Sequence, residues 1–394
     1  MLALPWSAGT AAAQPVTLTP LLDLRLHSEF IDQANIALPA DALTLRARAG
    51  AEVVRGPLSL LVEGEATGVI VDRYNDGFNG QPRPVVGDAG NAELNRAQLR
   101  YADKSLALTV GRQRLDLADQ RFVGPAPWRQ NEQTFDAVRV QWTGLRWLTL
   151  DATYAWSVRT VNGNKGTPTR PQAIAGDNVF AIVSYAAPVG TLSGFAYLVD
   201  QDSAALAGYR LSSQTYGVRF TGTQPLGQGW KLGYIASFAR QSDFARNPNR
   251  YAATYALAEA SLGHKVITGT AGFEVLGAST GAPLTSVQTP LASLFRFQGW
   301  ASKFITTPPD GLHDAYATLA ANWKRKSLVS NVGLGATWHH FTSDRQMRRY
   351  GDELDLIASL RIRNASLAAR LAHYMSRSYA VDTDKVFVTL DWHL

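Results

Sequence analysis

The chain has 394 residues, no cysteine, 46% hydrophobic and only 18% charged residues, and 38 basic against 32 acidic side chains give a net charge of +6. Without cysteine there is no disulfide scaffold, no thiol nucleophile and no thiolate zinc site, and so mild a basic surplus does not call for nucleic acid. The mean hydropathy of −0.11 is that of a soluble protein, but it averages over a strong pattern along the chain.

Residues 1–13 end in Ala11, Ala12 and Ala13 ahead of Gln14. Small residues of this kind precede signal cleavage sites, although no cation occurs before Arg25. The expectation is a residual signal peptide or disordered N-terminus over 1–13 and a single barrel domain over 14–394. From there the dominant signal is period two. Leu43, Leu45, Ala47, Ala49, Ala51 and Val53 interleave with Thr44, Arg46, Arg48, Gly50 and Glu52. Leu148, Leu150, Ala152, Tyr154, Trp156 and Val158 do the same against Thr149, Asp151, Thr153, Ser157 and Arg159. The pattern returns at Trp230 to Phe238 and at Leu354 to Ile362, and it closes the chain as Val386, Val388, Leu390, Trp392 and Leu394. Such alternation puts one class of side chain on each face of a strand.

Two stretches are free of charge for the length of a membrane helix, about 20 residues. Residues 178–199 carry Pro188, Gly190 and Thr191 at their middle, and residues 275–295 are rich in Gly, Ser, Thr and Pro. Neither is a helix. The alternating segments instead run to about 10–14 residues and number roughly 18, the even count of a bacterial outer-membrane barrel. Their connections alternate short and long. The short ones fall at Gly56-Pro57, Ala102-Asp103, Gly144 to Arg146, Pro188-Val189, 224–228, Gly263-His264, Arg325-Lys326 and Asn364. The long ones cover 72–91, 115–133, 161–176, 242–251 and 278–312. Periplasmic turns and extracellular loops produce that asymmetry. The fold class is therefore an all-β, antiparallel up-and-down transmembrane barrel. Trp142, Trp147, Trp156, Trp230, Trp323 and Trp338 are its expected interfacial girdles.

In such a barrel the apolar phase meets lipid and the other phase lines the lumen. The lumenal phase carries Arg46, Arg48, Arg96, Arg100, Arg139, Arg159, Arg219, Lys231, Arg361, Arg363 and Arg370. With them come Glu52, Glu63, Glu65, Asp151, Glu259, Glu274, Asp355 and Asp391. Arg112 and Arg114 are candidate lining residues too, yet they share the parity of Leu106, Leu108 and Val110. Either a bulge lies at Gly111 or they sit above the lipid. Guanidinium groups pair with carboxylates as a fork, so the set suits anionic solutes or braces opposite walls. The seven histidines are scattered, with His339 and His340 on opposite faces of one strand. No metal-ligand spacing, nucleophile elbow or nucleotide loop accompanies them, so no enzyme activity and no cofactor are expected.

Longer patterns carry a resemblance. They are Gly-Arg-Gln-Arg at 111–114, Asp-Gln-Arg-Phe-Val-Gly at 119–124 and Trp-Arg-Gln-Asn-Glu-Gln-Thr-Phe-Asp at 128–136. Further on come Gln-Thr-Pro-Leu at 288–291, Phe-Gln-Gly-Trp-Ala at 297–301 and Lys-Phe-Ile-Thr-Thr-Pro-Pro-Asp-Gly at 303–311. With these the chain resembles the alginate-export family of outer-membrane channels from Pro20 to Leu394. The resemblance implies an 18-stranded barrel with an arginine-rich pore for anionic or polar solutes. Members that export alginate also carry a sizeable periplasmic loop, and every such turn here is short. The expected function is passive passage of acidic saccharides or small carboxylates; a weakly selective porin and an adhesion or structural barrel are the alternatives. Outer-membrane lipid, lipopolysaccharide, the solute and the barrel-assembly machinery are the expected partners of a monomer. The loops over 115–133 and 278–312 are expected to fold inward and narrow the channel.

Overall fold

The computed structural model describes residues 15–325 and 327–394. The segment assigned to a signal peptide or disordered N-terminus lies outside the described residues. Backbone N–H and C=O groups that cross lipid must find partners within the protein, which strands achieve only by closing into a barrel. The first strands are β1 (Val16–Gln33), β2 (Ala40–Arg55), β3 (Leu58–Arg73), β4 (Asn91–Ala102), β5 (Leu106–Gln113) and β6 (Thr134–Leu145). Next come β7 (Leu148–Arg159), β8 (Ala173–Ala187), β9 (Gly190–Val199), β10 (Ser213–Gly227), β11 (Trp230–Asp243) and β12 (Ala252–His264). The last are β13 (Ile267–Leu276), β14 (Leu312–Lys324), β15 (Val329–Thr342), β16 (Arg349–Ile362), β17 (Ala365–Ser376) and β18 (Thr383–His393). Each pairs antiparallel with the next, and β1 pairs with β18 from Asp23↔His393 to Gln33↔Thr383. The barrel is closed.

Lengths range from 8 residues in β5 to 18 in β1, a wider spread than the expected 10–14. Eight short turns join the strands at one rim and nine longer loops at the other. The side chains are sorted inside out. On β18, Val386, Val388 and Leu390 are 41%, 41% and 42% exposed, whereas Lys385, Phe387 and Thr389 are 6%, 1% and 7%. A soluble sheet would hide the first set. Here lipid covers it, and a charge placed on that face at midplane would cost roughly 2–4 kcal/mol.

Bulges shift the register in several strand pairs, and three of them bear on the lining. One between β6 and β7 leaves Trp156 without a cross-strand partner, so Val158 turns inward and is 1% exposed rather than joining the lipid phase with Trp156. Another between β3 and β4 leaves Asn95 extra and sends both Asn95 and Arg96 to Glu63. A third lies between β2 and β3 beside Ile70. Gly111 is not a bulge: the register runs evenly through Gln98↔Gly111 and Gly111↔Ala137. Arg112 therefore stays on the outward phase with Val110, near the loop rim. There it pairs with Asp136 at 2.8 Å, above the lipid and not in the lumen.

Candidate functional site

The two loops that carry the longest sequence patterns lie inside the barrel. The β5–β6 loop spans it from wall to wall. On one side Arg121 Nε donates to Glu274 Oε1 of β13 at 2.7 Å. Phe122 packs there on Phe195, Tyr197 and Tyr255 with ring centroids 5.2–5.6 Å apart. On the other side Gln130 Nε2 donates to Thr44 Oγ1 at 2.8 Å and Thr67 Oγ1 donates to Asn131 Oδ1 at 2.8 Å. The Glu132 amide donates to Glu65 Oε1 at 3.1 Å.

The β13–β14 loop docks on β16. The amides of Trp300 and Ala301 donate to Asp355 Oδ2 at 3.2 Å and Glu353 Oε1 at 2.6 Å. Phe304 fills the gap among Phe341, Tyr350, Tyr374 and Tyr379. Gly299 makes the approach possible: it has φ +77°, and a Cβ there would stand 2.4 Å from Glu353 Cδ. The two loops also bind each other. Gly124 N–H donates to Leu291 O at 2.9 Å, Ser293 N–H to Gln120 O at 3.1 Å, and Gln133 Nε2 to both Gly124 O and Leu291 O. Trp128 and Trp300 meet with ring centroids 5.8 Å apart.

The walls these loops leave open differ in charge. On β1, β2 and β17 stand Arg25, Arg46, Arg48 and Arg370. Arg25 and Arg46 are direct cross-strand partners, an opposition of like charges that a sheet tolerates poorly. Arg25 Nε donates to Asp391 at 2.6 Å and its Nη1 to Pro127 O at 2.7 Å; Arg46 pairs with Asp23. Yet Nε and Nη1 of Arg46, Nη2 of Arg48 and Nε of Arg370 are buried without a hydrogen-bond acceptor. Arg370 lies with Cζ 4.4 Å over the Trp128 ring. Beneath the β13–β14 loop, a cavity of about 300 Å³ is lined by Asp119, Glu259, Glu274, Asp314 and Asp355 against Arg219 and Arg296. There Tyr255 donates to Glu274 at 2.8 Å and Tyr316 to Glu259 at 2.5 Å, while His339 Nδ1 sits 2.9 Å from Asp314.

The family model described as alginate export matches residues 41–236, about half of the chain. That stretch covers the β5–β6 loop and its anchors on β2 and β3. The chain is an outer-membrane β-barrel of the alginate-export family. No curated protein matches it in sequence. Solved structures match it throughout. OpdL of Pseudomonas aeruginosa is 18% identical at TM-score 0.67, over 96% of this chain and 98% of its own. OccAB3 of Acinetobacter baumannii is 14% identical at TM-score 0.69, over 96% and 99%. OccD3 (OpdP) of Pseudomonas aeruginosa is 12% identical at TM-score 0.68, over 98% and 94%. At such identities the likeness shows the shared fold. The alginate-export barrel is a passive porin-like channel and not an enzyme.

Within it, most arginines read from the sequence are tied to carboxylates. Arg96 forks onto Glu63 at 2.9 and 2.7 Å, and Arg139 onto Asp151 at 2.9 and 2.5 Å. Arg159 pairs with Glu93 at 2.8 Å and Arg219 with Asp119 at 2.9 Å. Arg48 pairs with Glu65 at 2.6 Å and reaches Glu132 at 3.5 Å, which Arg114 also holds at 2.6 Å, so Arg114 does turn inward. Burial would raise the Glu132 carboxyl, but Arg48 and Arg114 hold it below the usual carboxylate range. Arg100, Lys231, Arg361 and Arg363 stand exposed toward the short-turn rim, away from the loops.

Several site groups escaped the sequence. Arg25 and Lys385 alternate with leucine and valine as Arg46 and Arg48 do, so the signal for them is present in the sequence. Asp88 and Arg129 lie on loops, where no period applies. They meet His27 and Glu29 of β1 in a buried cluster. His27 Nε2 is 3.6 Å from Glu29 and 3.7 Å from Asp88, while Arg129 and Lys385 stand 3.6–3.9 Å from the carboxylates. Two acids are thus matched by two cations. His339 turns inward to Asp314 and His340 outward to Asp352.

Proposed function

We propose that this barrel, with residues 14–394 as one domain, passes anionic polar solutes such as small carboxylates or acidic saccharides down their concentration gradient. The observation that supports this best is the unpaired guanidinium edge formed by Arg46, Arg48 and Arg370 beside Arg25. Arg96 and Arg139 each fork onto one carboxylate and brace the wall. Arg46, Arg48 and Arg370 keep donors without an acceptor beside a lumen narrowed by two loops, where a carboxylate accepts a fork of hydrogen bonds. Several weak cationic steps rather than one tight site permit transit. Reversal potentials in planar bilayers under a potassium chloride gradient test the proposal. Anion preference that falls in Arg46→Ala and Arg370→Ala is expected; cation preference in the wild type overturns it.

A further inference from the structure

A second cavity, of about 310 Å³, opens among four loops at the extracellular rim, separate from the arginine wall. It belongs to the β3–β4, β5–β6, β7–β8 and β13–β14 loops, and its volume is at the lower end of small-molecule sites. Its apolar walls are Phe78, Val85, Pro290, Leu294, Phe295 and Ile305, and Gln133 and Asn162 are its uncharged polar side chains. Val85 and Ile305 are 44% and 48% exposed at its edge, far from the lipid belt that accounts for other exposed apolar side chains. Its charged groups are Asp76, Arg129 and Arg170. Asp76 is satisfied: Oδ1 accepts the amides of Phe78 and Asn79, and Oδ2 is 3.3 Å from Lys165 Nζ. Arg129 lies with Cζ 3.7 Å over Phe295 and is shared with Glu29 and Asp88 at 3.9 Å. Arg170, against Gly77 where a Cβ would stand 2.2 Å from its Nη1, makes no ion pair among the described residues. The cavity is thus apolar on its walls and cationic by one uncompensated guanidinium.

We propose that this vestibule captures the solute before it enters the lumen, and that the solute is a carboxylate on an apolar body. This rests on the anion-channel proposal and narrows it. The amide nitrogens of Gln133 and Asn162 already donate to backbone carbonyls, so a sugar acid would set most of its hydroxyls against Phe78, Val85, Leu294 and Ile305, where they lose water and gain no partner. A phenyl or short alkyl group gains from the same walls while Arg170 meets the carboxylate.

The test is current block in planar bilayers, with sodium phenylacetate or sodium galacturonate added on the extracellular side. Phenylacetate is expected to half-block at a concentration about tenfold lower than galacturonate. Phe78→Ser and Arg170→Gln should each raise that concentration for phenylacetate and leave potassium chloride reversal potential unchanged, because neither residue touches the arginine wall. Ile305→Ser, on the opposite wall, provides a second variant should Phe78→Ser not assemble. Equal block by the two acids, or phenylacetate block indifferent to these changes, overturns the vestibule proposal while anion preference stands. Cation preference in the unmodified channel overturns the channel proposal itself.

Discussion

The arginine wall and the carboxylate wall line one lumen and adjoin where β16 pairs with β17, yet they spend their charge differently. On β1, β2 and β17 the cations exceed the acceptors offered to them, and donors of Arg46, Arg48 and Arg370 are left free. On β13 and β16 the loops bind the acids: Glu274 by Arg121 and Gln298, Asp355 by the Trp300 amide and Glu353 by the Ala301 amide, with Asp355 Oδ1 and Glu353 Oε2 left over. In the proposed passage the anion meets the first wall. The other is an anchor for the loops that narrow the path. A barrel strand costs the same to build on either side, so the division comes from what the loops bring: backbone amides to the acids, and backbone carbonyls such as Pro127 O to the arginines.

If that division is right, damage to the anchor should change how much passes, and damage to the arginine wall should change what passes. The largest effect is expected from deleting residues 293–311, which removes the docked part of the β13–β14 loop. Single-channel conductance should rise by at least about twofold, since hydrated pore area sets it; an unchanged conductance would mean the loop does not obstruct the path. Gly299→Ala should do the same more gently. An L-residue at φ +77° costs about 1–2 kcal/mol, and its Cβ would fall 2.4 Å from Glu353 Cδ, a side chain with no room to retreat. Noisier, larger openings with unaltered ion preference are expected, and quiet wild-type-like openings would break the anchor assignment. Arg46→Ala, by contrast, should lower the chloride-to-potassium permeability ratio by about twofold and leave conductance nearly as it was.

The two walls were not equally legible in the sequence. Every strand of the barrel shows in its alternation, because lipid on one side and water on the other force period two, and the short turns are visible as Gly-Pro, Pro-Val and Arg-Asn breaks. Arg46, Arg48 and Arg370 follow from that parity alone. Parity fails where a bulge adds a residue, as at Trp156, and where a strand rises out of the lipid, as at Arg112. The anchor is illegible for a different reason. That Glu353 and Asp355 receive amides from Trp300 and Ala301 depends on where a 35-residue connection comes to rest, and no local period encodes a contact between segments 52–55 residues apart. What the sequence does show there is density of aromatic, proline and glycine residues, which marks the loop as packed without saying against what.

Lys303 tests the meeting point of the two walls. It sits on the docked loop with Nζ 3.3 Å from Gln33 Oε1 of β1. Burial and then the nearby Lys385 push its ammonium down from 10.5 to about 8, against the opposing pull of Glu353. The sign follows from proton binding. Between about pH 8 and 10.5 the folded protein binds fewer protons at this position than the unfolded chain, so stability rises with pH across that window; below about 8 the cost of burying the charge is present in full. The lumen feels the opposite change. Below pH 8 Lys303 adds a cation to the path, and above it the path loses one. Anion preference measured from pH 7 to 9 should therefore fall with a midpoint near 8, by less than Arg46→Ala removes, because one cation among several is lost. In Lys303→Met the step near pH 8 should vanish and the low preference should hold throughout. A wild-type ratio flat across that range would place Lys303 outside the conducting path and confine the cationic steps to the arginine wall.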